Sequence, residues 1–204
     1  MEGQEYLNQI AAGNRPAVKK SGGIFSSKIF LFGMISLAAL IVIIIIGAIL
    51  GGNKGGEKNL CFALKLHLDS TAEVIGEYQT HVKSSSLRSS SASFNNVVSD
   101  TNNKLTEYIT AKYDYKEKSV DKKILGEAQT RLDELKTDLF EAKINGILDR
   151  VYAHKMAYEV SLLMTEETKI INSSGNDTLK EILSASNDSL KKLYDDFNNF
   201  SEAK

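Results

Sequence analysis

Three histidines, a lone cysteine and several carboxylates at helical spacing are the side chains of this chain that could do chemistry. A two-metal centre in a helical bundle needs inward carboxylates and a Glu-x-x-His pair on two helices, because oxygen must bridge the ions and imidazole must close their shells. No Glu-x-x-His occurs. His67 and His81 stand 14 residues apart, about four helical turns, which is too far for one ion. His154 neighbours Tyr158 on one helix face and reads as a packed or half-exposed ring. Glu73 and Glu77 could form a paired-carboxylate site with a neighbouring helix, although charges on an amphipathic helix ordinarily mark its solvated face. Cys61 has no second cysteine to bond, so it is either a small core hydrophobe or half of an intermolecular disulfide. The Cys, His and Ser residues fall on regular helix faces rather than on strained turns. No catalytic residue is therefore assigned, and the chain does not read as an enzyme.

These side chains follow one long apolar run. Ile29–Leu50 is 22 residues without a charge, broken only by Gly33, Ser36 and Gly47. At about 1.5 Å per residue it reaches roughly 33 Å, enough to cross a hydrocarbon core of roughly 30 Å. It is longer than a secretory signal and no good small-x-small cleavage site follows it, so it reads as a retained anchor. Arg15, Lys19, Lys20 and Lys28 precede it, whereas only Lys54 and Lys58 follow closely. The positive-inside rule then places residues 1–28 in the cytoplasm and residues 51–204 outside. The GGNKGGEK stretch at 51–58 follows an apolar run rather than a strand, so its glycines serve a flexible tether and not a phosphate loop. Its r.m.s. reach is only roughly 15 Å, which keeps the exported part beside the membrane. A type IV pilin would need a glutamate where Lys28 stands.

Beyond the span, 21 Lys plus Arg oppose 24 Asp plus Glu, a net of −3 with no block of like charge. Phosphate binding needs a basic face, so nucleic acid is excluded as a partner. Pro16 is the only proline, which leaves long helices unopposed in the exported part. Alternating β-branched runs joined by hairpin turns do not occur.

Helical stripes do. Cys61, Leu64, Leu68, Thr71, Ile75, Tyr78 and Val82 follow one another at spacings of three and four, as one face of a helix requires. Leu87, Ser91, Phe94, Val98, Thr101, Leu105 and Tyr108 repeat the pattern, widened by Ile109, after a serine run able to cap the helix. Tyr113–Ser119 has no period and reads as a loop. A third helix carries Leu125, Ala128, Leu132, Leu135, Leu139 and Ala142, with Asp121 near its start. Asn145-Gly146 then breaks the register: Asn-Gly suits a positive φ, which fits a helix end with a tight connection, with a register shift within one continuous helix as the alternative. A fourth helix aligns Leu148, Tyr152, Met156, Glu159 and Leu163, and a fifth aligns Leu179, Leu183, Ser186, Leu190, Leu193, Phe197 and Phe200. Between these two, residues 172–177 carry a loop and cap signal. Seven serines between Ser84 and Ser93 read as small residues that permit close packing.

The segment Gly146-Ile147-Leu148-Asp149-Arg150-Val151-Tyr152, followed by Met156 and later by Asn176-Asp177-Thr178-Leu179-Lys180, resembles the second half of a family of bacterial envelope proteins. That family is a ferritin-like helical domain of unknown function, with a Gly-x-x-Phe-Asp-x-x-Tyr pattern, a Met, a His, a polar loop and a helix opening with Leu-Lys. The resemblance implies a ferritin-like bundle, and its departures imply that the family's histidine site is not retained. Glu159 stands where the family places a histidine, and Lys191 and Lys192 fall near its counterpart in the last helix. No metal or cofactor is therefore expected. Were an ion bound, its ligands would come from Glu159, Asp149 and His154 on the resembling segment, with Glu127 able to face them from the preceding helix.

The reading as a whole is all-α: a cytoplasmic tail at 1–28, a transmembrane helix at 29–50, a Gly-rich linker at 51–58 and an antiparallel four- or five-helix bundle at 59–204, ferritin-like in type. Such a chain is a single-pass, N-in protein of the cell membrane and envelope. Its expected partners are the lipid bilayer and an envelope protein or a second copy of itself. The expected role is non-catalytic interaction or envelope organisation, with ferritin-like small-molecule or metal binding as the alternative.

Overall fold

The structure, a computed structural model, describes residues 56–200. The apolar run, the tail before it and residues 51–55 of the tether lie outside the described residues. Among those described, no helix is long and apolar enough to cross a membrane. Five helices make up the described part: α1 Gly56–Tyr78, α2 Ser85–Tyr113, α3 Lys122–Ile144, α4 Leu148–Ser173 and α5 Asp177–Asn198. A single 3-10 turn, Glu117–Ser119, precedes α3. Gly56, Glu57 and Lys58, expected in the tether, are already helical.

The boundaries follow local chemistry. Ser84, Asp121 and Asn176 sit at N-cap positions, and their side chains accept from the backbone N–H of Leu87, Lys123 and Leu179, relieving unpaired amides at three helix starts. Gly146 takes φ +71, so the Asn-Gly signal is a tight reversal between α3 and α4 rather than a shift within one helix. The expected first stripe runs one turn too far: α1 ends at Tyr78, and Val82 enters the core from the connection that follows.

α1 packs on α2, α2 on α5, α5 on α4, and α4 on α1, which closes a four-helix ring; α3 lies against α1 and α4. Asp149 at the start of α4 accepts from the amides of Lys83 and Ser84, just ahead of α2. At the opposite end, Glu57 in α1 meets Tyr108 and Tyr113 of α2 and Ser174 beyond α4. α1 and α5 therefore run one way, α2 and α4 the other. Lys136 of α3 pairs with Glu73 and Glu77 of α1, and Tyr78 Oη donates to the Lys136 carbonyl. α3 thus runs alongside α1 and serves as the crossover that returns the chain to the end from which α4 starts.

The stripes form the core, from Cys61, Leu64 and Leu68 through Phe94, Leu105, Leu139 and Leu163 to Leu190 and Phe197. Each such side chain stabilises the fold by about 1.5–3 kcal/mol on burial. Two details depart from the pattern. In the first turn of α3, Ile124 is buried while Leu125 is only partly so. Of the seven serines, Ser91 is fully buried, but Ser85, Ser86, Ser89 and Ser93 face solvent, so close packing accounts for Ser91 alone.

Candidate functional site

Charge is buried in the middle of this bundle. His67 projects from the apolar face of α1, flanked by Leu64 and Leu68, and is 3 % exposed. Its Nε2 lies 2.7 Å from Glu159 Oε2, and its Nδ1 lies 2.9 Å from Glu166 Oε2. Both carboxylates come from α4, at positions seven residues apart and so two turns along one face. Arg131 of α3 donates to the other oxygen of Glu166 at 3.4 Å. A second arm begins one residue later. Thr101 of α2 donates to Ser186 of α5, Ser186 donates to Glu167 Oε1 at 2.6 Å, and the Asn187 amide reaches Glu167 Oε2. Each of the five helices thus supplies a polar side chain to one layer.

The protonation states follow from these contacts. Burial disfavours the imidazolium, but the charge of Glu166 and the bonds to both glutamates outweigh it, so the His67 pKa is raised above its ordinary value. Burial likewise pushes Glu166 up, yet His67 and Arg131 hold it below the usual carboxylate range. Glu167 has no cation within bonding distance. Desolvation carries it up to about 7, only partly offset by the donors Ser186 and Asn187. The layer therefore holds a clamped cation beside a carboxyl poised near neutrality.

Such a layer is poorly suited to hold a metal. An ion needs a lone pair from imidazole, and both ring nitrogens of His67 are engaged, on opposite edges of the ring, by different carboxylates. Among the described residues no group of three His, Cys, Asp or Glu side chains could hold an ion. The sequence-derived ligands do not converge. Glu159 is buried on His67; Asp149 caps the start of α2; His154 is exposed; Glu127 is exposed, 3.8 Å from Lys123. Glu73 and Glu77 share Lys136 rather than a reacting group. Cys61 is completely buried, packed as a small core side chain, and its thiol is pushed up to about 12, chiefly by desolvation and then by the charge of Glu57.

Sequence spacing relates His67 only to the other histidines and misses its partners, which lie 92 and 99 residues away. The signal was nevertheless present: Glu159 occupies an apolar stripe, and a charge in such a place requires a buried partner. A shallow groove of about 410 Å³ runs along the outer face of α4 beside Tyr194, lined by Met164, Thr168 and Lys169 among others, and includes none of the buried layer.

No family model, curated protein or solved structure matches this chain.

Proposed function

We propose that this chain is a single-pass, N-in membrane protein whose extracytoplasmic helical bundle is a non-catalytic interaction or envelope-organising module. The observation that carries the reading is the uncharged 22-residue run ending only six residues before Gly56, where the bundle begins. An interaction role is supported by Phe140, Ile144 and Ile147, which are 56 %, 67 % and 37 % exposed at the end of the bundle away from Gly56. The buried ionisable layer supports a structural use of charge, because its side chains are consumed by one another.

Thiol labelling in intact cells tests the topology, since the inaccessible Cys61 leaves little background. A cysteine replacing the exposed Lys104 should react with a membrane-impermeant maleimide, and one replacing Asn14 should react only after lysis. The reverse pattern would invert the model. Photo-crosslinkers at positions 140 and 144 should give adducts of discrete mass that are absent with the probe at 104; equal labelling at all three positions would remove the interaction role.

The connectivity favours a ferritin-like architecture for the bundle. Two antiparallel pairs, α1 with α2 and α4 with α5, are joined by one long crossover that makes α2 and α4 parallel. Binding of a metal or small molecule in the manner of such folds is the second reading. The engagement of both His67 nitrogens weighs against it, and fold by itself does not assign function.

A further inference from the structure

The end of the bundle at which the chain arrives from the apolar run has a composition of its own. Glu57, in the first turn of α1, accepts from Tyr108, Tyr113 and Lys112 of α2 on one carboxylate oxygen and from Ser174 on the other. Burial would raise this carboxyl, but the four donors outweigh it and hold it down at about 2. Tyr108 stacks edge-on against Tyr113, and Phe62 against both Tyr113 and Tyr115. Lys58, Lys65 and Lys112 lie over these rings, 5.2–5.5 Å from their centroids. Beside the aromatic cluster, the last turn of α2, the connection that follows and the first turn of α3 carry Lys112, Lys116, Lys118, Lys122 and Lys123 against Asp114, Glu117 and Asp121. All five lysines are exposed. Lys116 and Asp114 pair with each other, whereas Lys118 and Lys122 have no carboxylate partner among the described residues. Over Tyr113–Lys123 four lysines oppose three carboxylates, an excess of +1, while Lys112 is paired with Glu57 and Lys123 lies 3.8 Å from Glu127; the residues beyond the span sum to −3.

We infer that the Tyr113–Lys123 surface docks on the headgroups of an anionic bilayer, so that the bundle rests on the membrane in one orientation. The inference builds on the anchored reading proposed above. Five residues, 51–55, separate the run from Gly56 and span at most about 18 Å, which brings this end of the bundle within reach of any bilayer that holds the run. Half-buried tyrosines with exposed lysines are the side chains that suit the interface: the rings partition to headgroup depth, and the ammonium groups meet lipid phosphate. Tethering raises the local concentration to about the millimolar range, so a surface with only a modest charge excess is enough. Phe140 and Ile144, at the far end of α3, would then point away from the membrane, toward a partner.

The test uses the full chain reconstituted into vesicles, with a fluorophore on a cysteine replacing Lys118 or Ile144, and brominated lipid as the depth-sensitive quencher. In vesicles containing phosphatidylglycerol the label at 118 should be quenched at least twofold more than the label at 144. The excess should fall in pure phosphatidylcholine, in high salt, and in the Lys116→Glu/Lys122→Glu/Lys123→Glu variant. Equal quenching at both positions overturns the docking. Quenching at 118 that ignores lipid charge and the triple variant shows that the tether alone holds the end close, and overturns headgroup recognition. Failure of the unlabelled chain to float with vesicles refutes the anchor itself, and this inference falls with it.

Discussion

His67 Nε2 and Glu159 Oε2 meet 2.7 Å apart across the α1–α4 interface, with both side chains all but sealed from water. A buried pair of this kind contributes little net stability, because desolvation offsets the attraction, but removing one partner strands the other. His67→Leu should therefore cost about 3–5 kcal/mol in urea denaturation. The double variant His67→Leu/Glu159→Leu should recover most of that loss, since Glu166 keeps Arg131. A double variant less stable than the single would show that the pair is not coupled.

The same layer sets the pH response. His67 has a raised folded pKa, so its contribution is complete below its ordinary value of 6.5 and is lost as pH rises through the folded value. Glu167 moves from 4.5 to about 7, so the folded state is favoured while it stays protonated and loses ground as pH climbs across that window. Glu57 and Glu166 are lowered, and their contributions hold above 4.5 and disappear in more acid solution. The melting temperature should thus peak at about pH 4.5–5, with a loss on the order of 2–4 kcal/mol from Glu167 as pH rises from there through about 7. Glu167→Gln should flatten the alkaline limb. A melting temperature that rises steadily from pH 5 to 8 would contradict the assignment.

Core truncations should follow burial. Leu139 and Leu190 are 0 % and 1 % exposed, while Leu132 is 9 % exposed at the edge of α3. Replacement by Ala should cost about 3–5 kcal/mol at the first two positions and nearer 2 at Leu132. Thermal melts followed by circular dichroism check the order, and losses below about 0.5 kcal/mol at all three would mean that the core lies elsewhere.

Much of this fold is legible in period alone. Leu87, Ser91, Phe94, Val98, Thr101 and Leu105 are the buried face of α2 as the spacing predicts, and the stripe from Leu179 to Phe197 is the buried face of α5. Periodicity fixes which face turns inward but not which helices meet, so the ring order and the outer position of α3 were not readable. The charged layer was hidden for the same reason. Glu159 advertised a partner, yet His67, 92 residues away, could be recognised only once α1 and α4 were known to pack. Glu166 and Glu167 are adjacent in sequence and differ in protonation because one faces His67 and Arg131 and the other faces hydroxyls and an amide. No composition rule separates them.

The reversal between α3 and α4 rests on Gly146 and on Asp149 just beyond it. Gly146→Ala meets no atom within 4 Å, so its effect is purely conformational: about 1–2 kcal/mol for forcing φ +71 on a residue with a Cβ. Asp149→Ala removes the acceptor of two amides at the start of α2 and should cost about 1–2 kcal/mol, whereas Asp149→Asn keeps part of it. Equal stability of Gly146→Ala and the parent would show that the turn relaxes without strain.

Metal content separates the structural reading of the charged layer from the ferritin-like alternative. His67 can offer an ion a lone pair only by surrendering a bond to Glu159 or Glu166, which would leave a carboxylate buried without its cation. The chain purified without chelator or affinity tag should accordingly carry no stoichiometric iron, manganese or zinc by elemental analysis, and titration calorimetry with each ion should show no saturable heat. His67, Glu159 and Glu166 are the positions to replace if an ion is found, because Asp149, His154 and Glu127 lie apart from them. One ion per chain, lost in Glu159→Gln while circular dichroism stays unchanged, would mean that the His67 clamp opens to bind metal and would replace the structural role with a binding one.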